Sequence, residues 1–183
     1  MNKKLSLVAV SCLGLIVSGA AWAKDNSGRG KGPAPKFTQN VLEFQAMVGV
    51  DGIFLGSEND IRGVPGGGRP WVLDEAKGEL KDSGELEVEV RGLVIPDACA
   101  DGDCNPAPFF RALVSCIDGD NAIVNLLTDN GAEVMIGDPL DGNAKIEAMV
   151  DLPQPCIAPI IFVTSPNGSW FSVTGVGAIP VNP

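Results

Sequence analysis

Residues 85–94, Glu85-Leu86-Glu87-Val88-Glu89-Val90-Arg91-Gly92-Leu93-Val94, alternate charged and apolar side chains from Glu85 to Arg91. A β-strand sends successive side chains to opposite faces, so Leu86, Val88 and Val90 point one way and Glu85, Glu87, Glu89 and Arg91 the other. Alternation of this kind predicts a strand with one dry face and one wet face. Residues 144–152 repeat it, with Ala144, Ile146, Ala148, Val150 and Leu152 set against Lys145, Glu147, Met149 and Asp151. Residues 41–50 repeat it again, with Leu42, Phe44, Ala46, Val48 and Val50 on one side.

Working outward, residues 108–117, 122–128, 132–136, 157–164 and 169–176 read as further strands, and Trp71-Val72-Leu73 leads towards Leu80 as a shorter, less regular one. Turn signals separate them: Asp51-Gly52, Asp82-Ser83-Gly84, Asp101-Gly102, Asp118-Gly119, Asn130-Gly131, Asp141-Gly142 and Asn167-Gly168. Gly takes positive φ freely and Asp and Asn tolerate it, so such pairs mark tight turns. The chain has 183 residues with 23 Gly and 14 Pro, which suits one turn-rich domain. No segment shows a long helical period with caps. The expectation is a single all-β domain over residues 37–183. Its architecture is an antiparallel β-sandwich, immunoglobulin-like or a related Greek key, with a closed β-barrel as the alternative. A chain of this size buries enough surface to fold alone, and a monomer is expected.

Residues 1–23 read as an address. Asn2-Lys3-Lys4 is a basic start, an apolar run follows, and Ala21-Trp22-Ala23 fits a small-x-small cleavage site before Lys24. This is the pattern of a secretory signal peptide, which places the mature chain in the periplasm or outside the cell. No later segment is long and apolar enough for a membrane-spanning helix, so the cleaved chain is not expected to be an integral membrane protein. Residues 24–36 are rich in Gly and Pro, carry Lys24, Arg29, Lys31 and Lys36 against Asp25, and read as a disordered basic linker.

The formal net charge is −10, from 23 acidic and 13 basic residues. An acidic body without clustered Lys and Arg is a poor match for phosphate backbones, so no nucleic-acid partner is expected. The chain contains neither His nor Tyr. That removes the Ser-His-Asp triad, the Cys-His dyad, His-ligated zinc and Tyr acid–base chemistry. Carboxylate-driven hydrolysis stays open, without a motif to support it.

Cys99, Cys104, Cys116 and Cys156 follow the signal segment. An even count in an exported chain reads as two disulfides. Of three connectivities, Cys99–Cys104 with Cys116–Cys156 is favoured: the first closes a short loop, and the second ties strands distant in sequence. A metal site of four thiolates is the alternative, against which the loose spacing argues.

Candidate binding residues lie in the Gly-rich stretch 63–71, where Gly66, Gly67, Gly68, Arg69 and Trp71 stand together, and at Trp170 near the end of the chain. Long loops often carry function. This one lacks the residues of a phosphate loop, and packing beside Trp71 is its plainer reading. Trp170 at a strand surface would mark a binding patch; in the core it would be packing. Asp101, Asp103, Asp118 and Asp120 bring hard oxygen donors near one another and are candidate calcium ligands, though none matches an EF-hand and all sit where turns want Asp. No other cofactor is implied. The Glu85, Glu87, Glu89 stripe reads as a solvated face or a surface for a cationic partner.

The order of Gly63-Val64-Pro65-Gly66-Gly67-Gly68-Arg69-Pro70-Trp71, Gly84 to Val94, Asn105 to Cys116, and Pro155-Cys156-Ile157-Ala158-Pro159-Ile160-Ile161-Phe162-Val163-Thr164-Ser165 with Trp170-Phe171 resembles a family of small secreted bacterial proteins without an established activity. The resemblance implies that Cys116 and Cys156 are the recurrent pair, with Cys99 and Cys104 an addition. It carries over no ligand and no catalytic residue. The functional expectation is a secreted, non-enzymatic β domain that binds an unknown envelope or extracellular partner or has a structural role. Alternatives are a calcium-dependent adhesion domain and a carboxylate hydrolase.

Overall fold

The computed structural model describes residues 38–99, 104–135 and 141–175; the signal and linker segments lie outside them. The alternating stretch forms β4 (Glu85–Arg91), and Leu86, Val88 and Val90 are buried as its period requires. β4 folds back on β3 (Glu75–Lys81) in a register running from Glu75↔Arg91 to Leu80↔Leu86. Gly84 closes this hairpin at φ 89°, where a Cβ would overlap the Val150 carbonyl oxygen. β8 (Ala144–Met149) pairs with the other side of β4, placing Ile146 beside Val88. β1 (Asn40–Phe44) pairs with β3, giving a four-stranded sheet in the order β1-β3-β4-β8.

The second sheet runs β2-β10-β9-β5-β6, from β2 (Met47–Gly49), β10 (Trp170–Thr174), β9 (Ile157–Thr164), β5 (Phe109–Ile117) and β6 (Ile123–Leu127), with β7 (Ala132–Glu133) beside β5. The chain crosses between sheets after β4 and returns so that β8 lies beside β4 and β9 beside β5, a Greek-key crossing. All the ladders pair antiparallel. Both sheets end in edge strands, so the architecture is a sandwich and the closed barrel falls away.

The core lies between the sheets. Leu80, Leu86, Val88, Val90 and Ile146 from the first meet Phe110, Ala112, Val114, Ile161 and Val163 from the second. Cys116 and Cys156 are joined, with Cα atoms 5.1 Å apart, and clamp β5 to the start of β9. Cys104 is disulfide-bonded as well; the side chain of Cys99, its expected partner, lies outside the described residues.

β5 and the second half of β9 do not alternate, because both faces are buried there. The second face, with Leu113, Ser115 and Phe162, lies beneath the long excursion 51–70. A short 3₁₀ turn, Gly52–Phe54, puts the Phe54 ring 6.3 Å from Trp170, which lies 6.1 Å from Phe162. Arg62 donates from Nη1 to the Ser115 carbonyl at 3.1 Å, and Asn125 Nδ2 donates to the Arg62 carbonyl at 2.9 Å. A sheet covered on both sides needs near-continuous apolar strands, which is how Phe109–Ile117 and Ile157–Thr164 read.

Two expectations about the strands need correcting. Residues 41–50 are two strands, not one. The chain leaves one sheet at Gln45-Ala46 and joins the other, and the pattern slips by one residue: Phe44 and Met47 are buried, whereas Val48 is 49% exposed. Trp71-Val72-Leu73 is extended but pairs only through a Val72↔Val94 bridge, and the strand proper starts at Glu75.

Candidate functional site

The Gly-rich stretch packs its backbone into the domain. Gly67 N–H donates to the Trp170 carbonyl at 2.8 Å, Trp170 N–H to the Pro65 carbonyl at 2.9 Å, and Gly66 N–H to the Gly56 carbonyl at 2.8 Å. These bonds sew 64–67 along the start of β10. A Cβ on Gly66 would overlap the Phe54 carbonyl oxygen, and one on Gly67 would press on Phe171 and the Trp71 indole. Gly66 is there because chain passes chain too closely for a side chain, and Gly67 because the two aromatic side chains leave it little room. Gly66 and Gly67 are buried, and Gly68 and Arg69 are exposed at the end of the stretch.

Trp71 and Trp170 both lie in the core. Trp71 is 4% exposed and stacks on Phe171 with ring centres 3.9 Å apart, and Phe110 meets both edge-on. Trp170 is 2% exposed on the opposite side of the sheet. Its Nε1 and the Ser115 hydroxyl are buried without a hydrogen-bond partner among the described residues.

Asp118 and Asp120 sit in the β5–β6 hairpin loop. One oxygen of Asp118 accepts from the backbone N–H groups of Asp120 and Ala122, each at 2.9 Å, and Asn121 takes φ 62°. The carboxylate therefore organises the turn. Asp101 and Asp103 lie outside the described residues. Among those described, no three His, Cys, Asp or Glu side chains gather closely enough to hold a metal ion.

The acidic stripe on β4 is answered from within the sheet. Lys77 and Arg91 reach Glu89 at 3.1 and 2.8 Å, Arg91 reaches Glu75 at 3.2 Å, and Lys81 reaches Glu85 at 2.9 Å. Lys145 joins Glu87 and Glu147 from β8 at 3.2 and 2.6 Å. Hydrogen bonds from Lys77 and then Arg91 hold the Glu89 carboxyl below the ordinary range. Hydrogen bonds donated to Glu85 and to Glu147 raise Lys81 and Lys145 respectively. The outer face of this sheet is thus a lattice of exposed ion pairs.

An apolar-walled groove was not apparent from composition. A groove of about 500 Å³ opens where the N-terminal strand changes sheets, lined by Leu42, Phe44, Ala46, Pro159, Ile160 and Thr174, with Gln45, Gly175 and one charged residue, Glu43. β9 bulges beside it. From Ser115↔Ile160 to Ile117↔Ile157 it spends one residue more than β5, and Ala158 takes φ 47°. Pro159 has no N–H to give a ladder, which is why a strand tolerates it at a bulge. β10 stops at Thr174, whose Oγ1 accepts the Ile161 N–H at 3.0 Å in place of a ladder carbonyl. The one sequence signal was the Pro inside Ile157–Thr164; the slip at Gln45-Ala46 left none, because residues 41–50 alternate without a break.

No protein-family model, curated protein or solved structure matches this chain.

Proposed function

We propose that the chain is an exported, disulfide-stapled β-sandwich that acts by binding, and that the groove beside the sheet-switching strand receives an extended apolar segment. The observation that carries this reading is the groove's wall. Leu42, Phe44, Ala46, Pro159 and Ile160 offer apolar surface, and Glu43 is the one charge. An extended ligand suits it because strand ends flank it: β1 is an edge, and β10 ends at Thr174. A cleft for proton transfer instead gathers acids and bases into a dry place and pushes their pKa values apart. The groups whose pKa moves here, Lys81, Glu89, Arg91 and Lys145, lie on the outer face of the four-stranded sheet. Each is shifted toward its charged form. Export is supported by the basic start, apolar run and Ala21-Trp22-Ala23, and the Cys116–Cys156 bridge is compatible with an oxidising compartment.

The test is a titration of isotope-labelled mature protein with an extended Val/Ile/Pro peptide, read by amide chemical shifts. Shifts concentrated at residues 42–46, 160 and 161, and lost in Ala46→Glu with an unchanged melt, are expected. No shift at about 1 mM peptide, a concentration that reveals even weak binding, ends the reading, as do shifts confined to another face.

A further inference from the structure

Among the described residues four strands end the two sheets, and three of them are protected. β2 has only three residues. β1 carries a register break between Asn40 and Leu42 and an acid at Glu43. β8 carries Lys145 and Glu147. Short length, irregularity and charge are the devices that stop a sheet edge from recruiting another chain. β6 has none of them. Ile123-Val124-Asn125-Leu126-Leu127 contains no charge, no Pro and no Gly, and it runs unbroken along β5 from Ile117↔Ile123 to Leu113↔Leu127. Among the described residues, β5 is its one strand neighbour. Beside this edge Ile123 and Ile157 flank Ile117 in register, 53% and 46% exposed.

We propose that β6 is a self-association surface, through which two copies of this chain pair antiparallel across a two-fold axis at Asn125 into one continuous sheet. The strand is its own complement. About that axis Ile123 faces Leu127 of the second copy, Val124 faces Leu126, and Asn125 faces Asn125, so apolar meets apolar on one face, two apolar pairs flank an Asn pair on the other, and the open backbone groups find partners. A charged foreign segment would find no counter-charge on β6. The acids nearest along the chain, Asp118 and Asp120 at one end and Asp129 at the other, come towards each other between copies. Pairing is therefore weak at low salt and strengthens as salt screens them.

Sedimentation velocity of the mature protein from about 10 µM to about 1 mM, a range that resolves weak dimers, should show concentration-dependent dimers that increase with salt. Ile123→Lys, at an exposed position, should weaken association by about tenfold or more without moving the melt. Asn125→Cys should form a covalent dimer with diamide as oxidant, because facing Cα atoms in a strand pair are about 4.5–5.5 Å apart. Met149→Cys, on the charged sheet, is the control. A monomer at every concentration leaves β6 to some other strand and overturns the proposal. So do dimers indifferent to Ile123→Lys, or a cross-link no faster at Asn125→Cys than at Met149→Cys.

Discussion

Gly66 shows how little room single positions have. Its neighbours are the Phe54 carbonyl and the Val50 side chain, so a methyl group there has to push the excursion off the sheet. Gly66→Ala is expected to lower stability by about 2–4 kcal/mol, read as a fall in the denaturation midpoint; an unchanged midpoint would mean the excursion is not seated as described. Ser115 points to the opposite result. Its hydroxyl is buried without a partner, and an unmet polar group costs free energy that an apolar replacement does not. Ser115→Ala should be neutral or stabilising by up to about 1 kcal/mol. A clear loss of stability would show that an ordered water or another group serves the hydroxyl. At this scale the sequence was least explicit. Trp170 could be read as surface or core, because a bulge between Trp170 and Ser172 breaks the alternation that would have decided it. Asp118 could be read as a ligand or a turn residue until its oxygen was seen on two backbone N–H groups.

Single elements were legible wherever one face is wet. β4 and β8 declare their inner and outer residues by period two, and the structure keeps every one of those assignments from Glu85 to Arg91. β5 and the second half of β9 hide theirs, because a strand dry on both sides has no period to read. The groove escaped notice for a related reason: it forms between segments far apart in the chain, from a slip in one and a bulge in the other. The charge lattice makes a prediction of its own. Glu89 titrates below its ordinary value near 4.5, so its stabilising effect is complete above that pH and fades as pH falls through the lowered value. Lys77→Met, which removes the first partner of Glu89, should lower the melting temperature slightly at pH 7. The gap to the parent protein should close at acid pH and at high salt. A gap that persists in acid would place the effect in packing of the Lys77 stem. At the alkaline end Lys81 and Lys145, raised above 10.5, keep their contribution below that value and lose it as pH climbs past the raised one.

For the whole molecule, the sandwich and the Cys116–Cys156 bridge followed from turn spacing and cysteine arithmetic, because both are set by chain connectivity. The bridge spans 40 residues of sequence. On the chain-entropy model such a loop contributes about 4 kcal/mol. Replacing both cysteines with Ala should lower the melting temperature by on the order of 10 °C, and a melt unmoved by the change would contradict that role. The strand that changes sheets has a mechanical consequence. Met47 at the start of β2 lies opposite Thr174 at the end of β10, so the first and last strands of the larger sheet meet with their outer ends together. Tension applied between Met47 and Thr174 does not load this ladder in shear; it opens it like a zip, one pair at a time, from Met47 towards Gly49. Under that tension β2 is the first to peel, at low force, while the covalent clamp between β5 and β9 carries the load behind it.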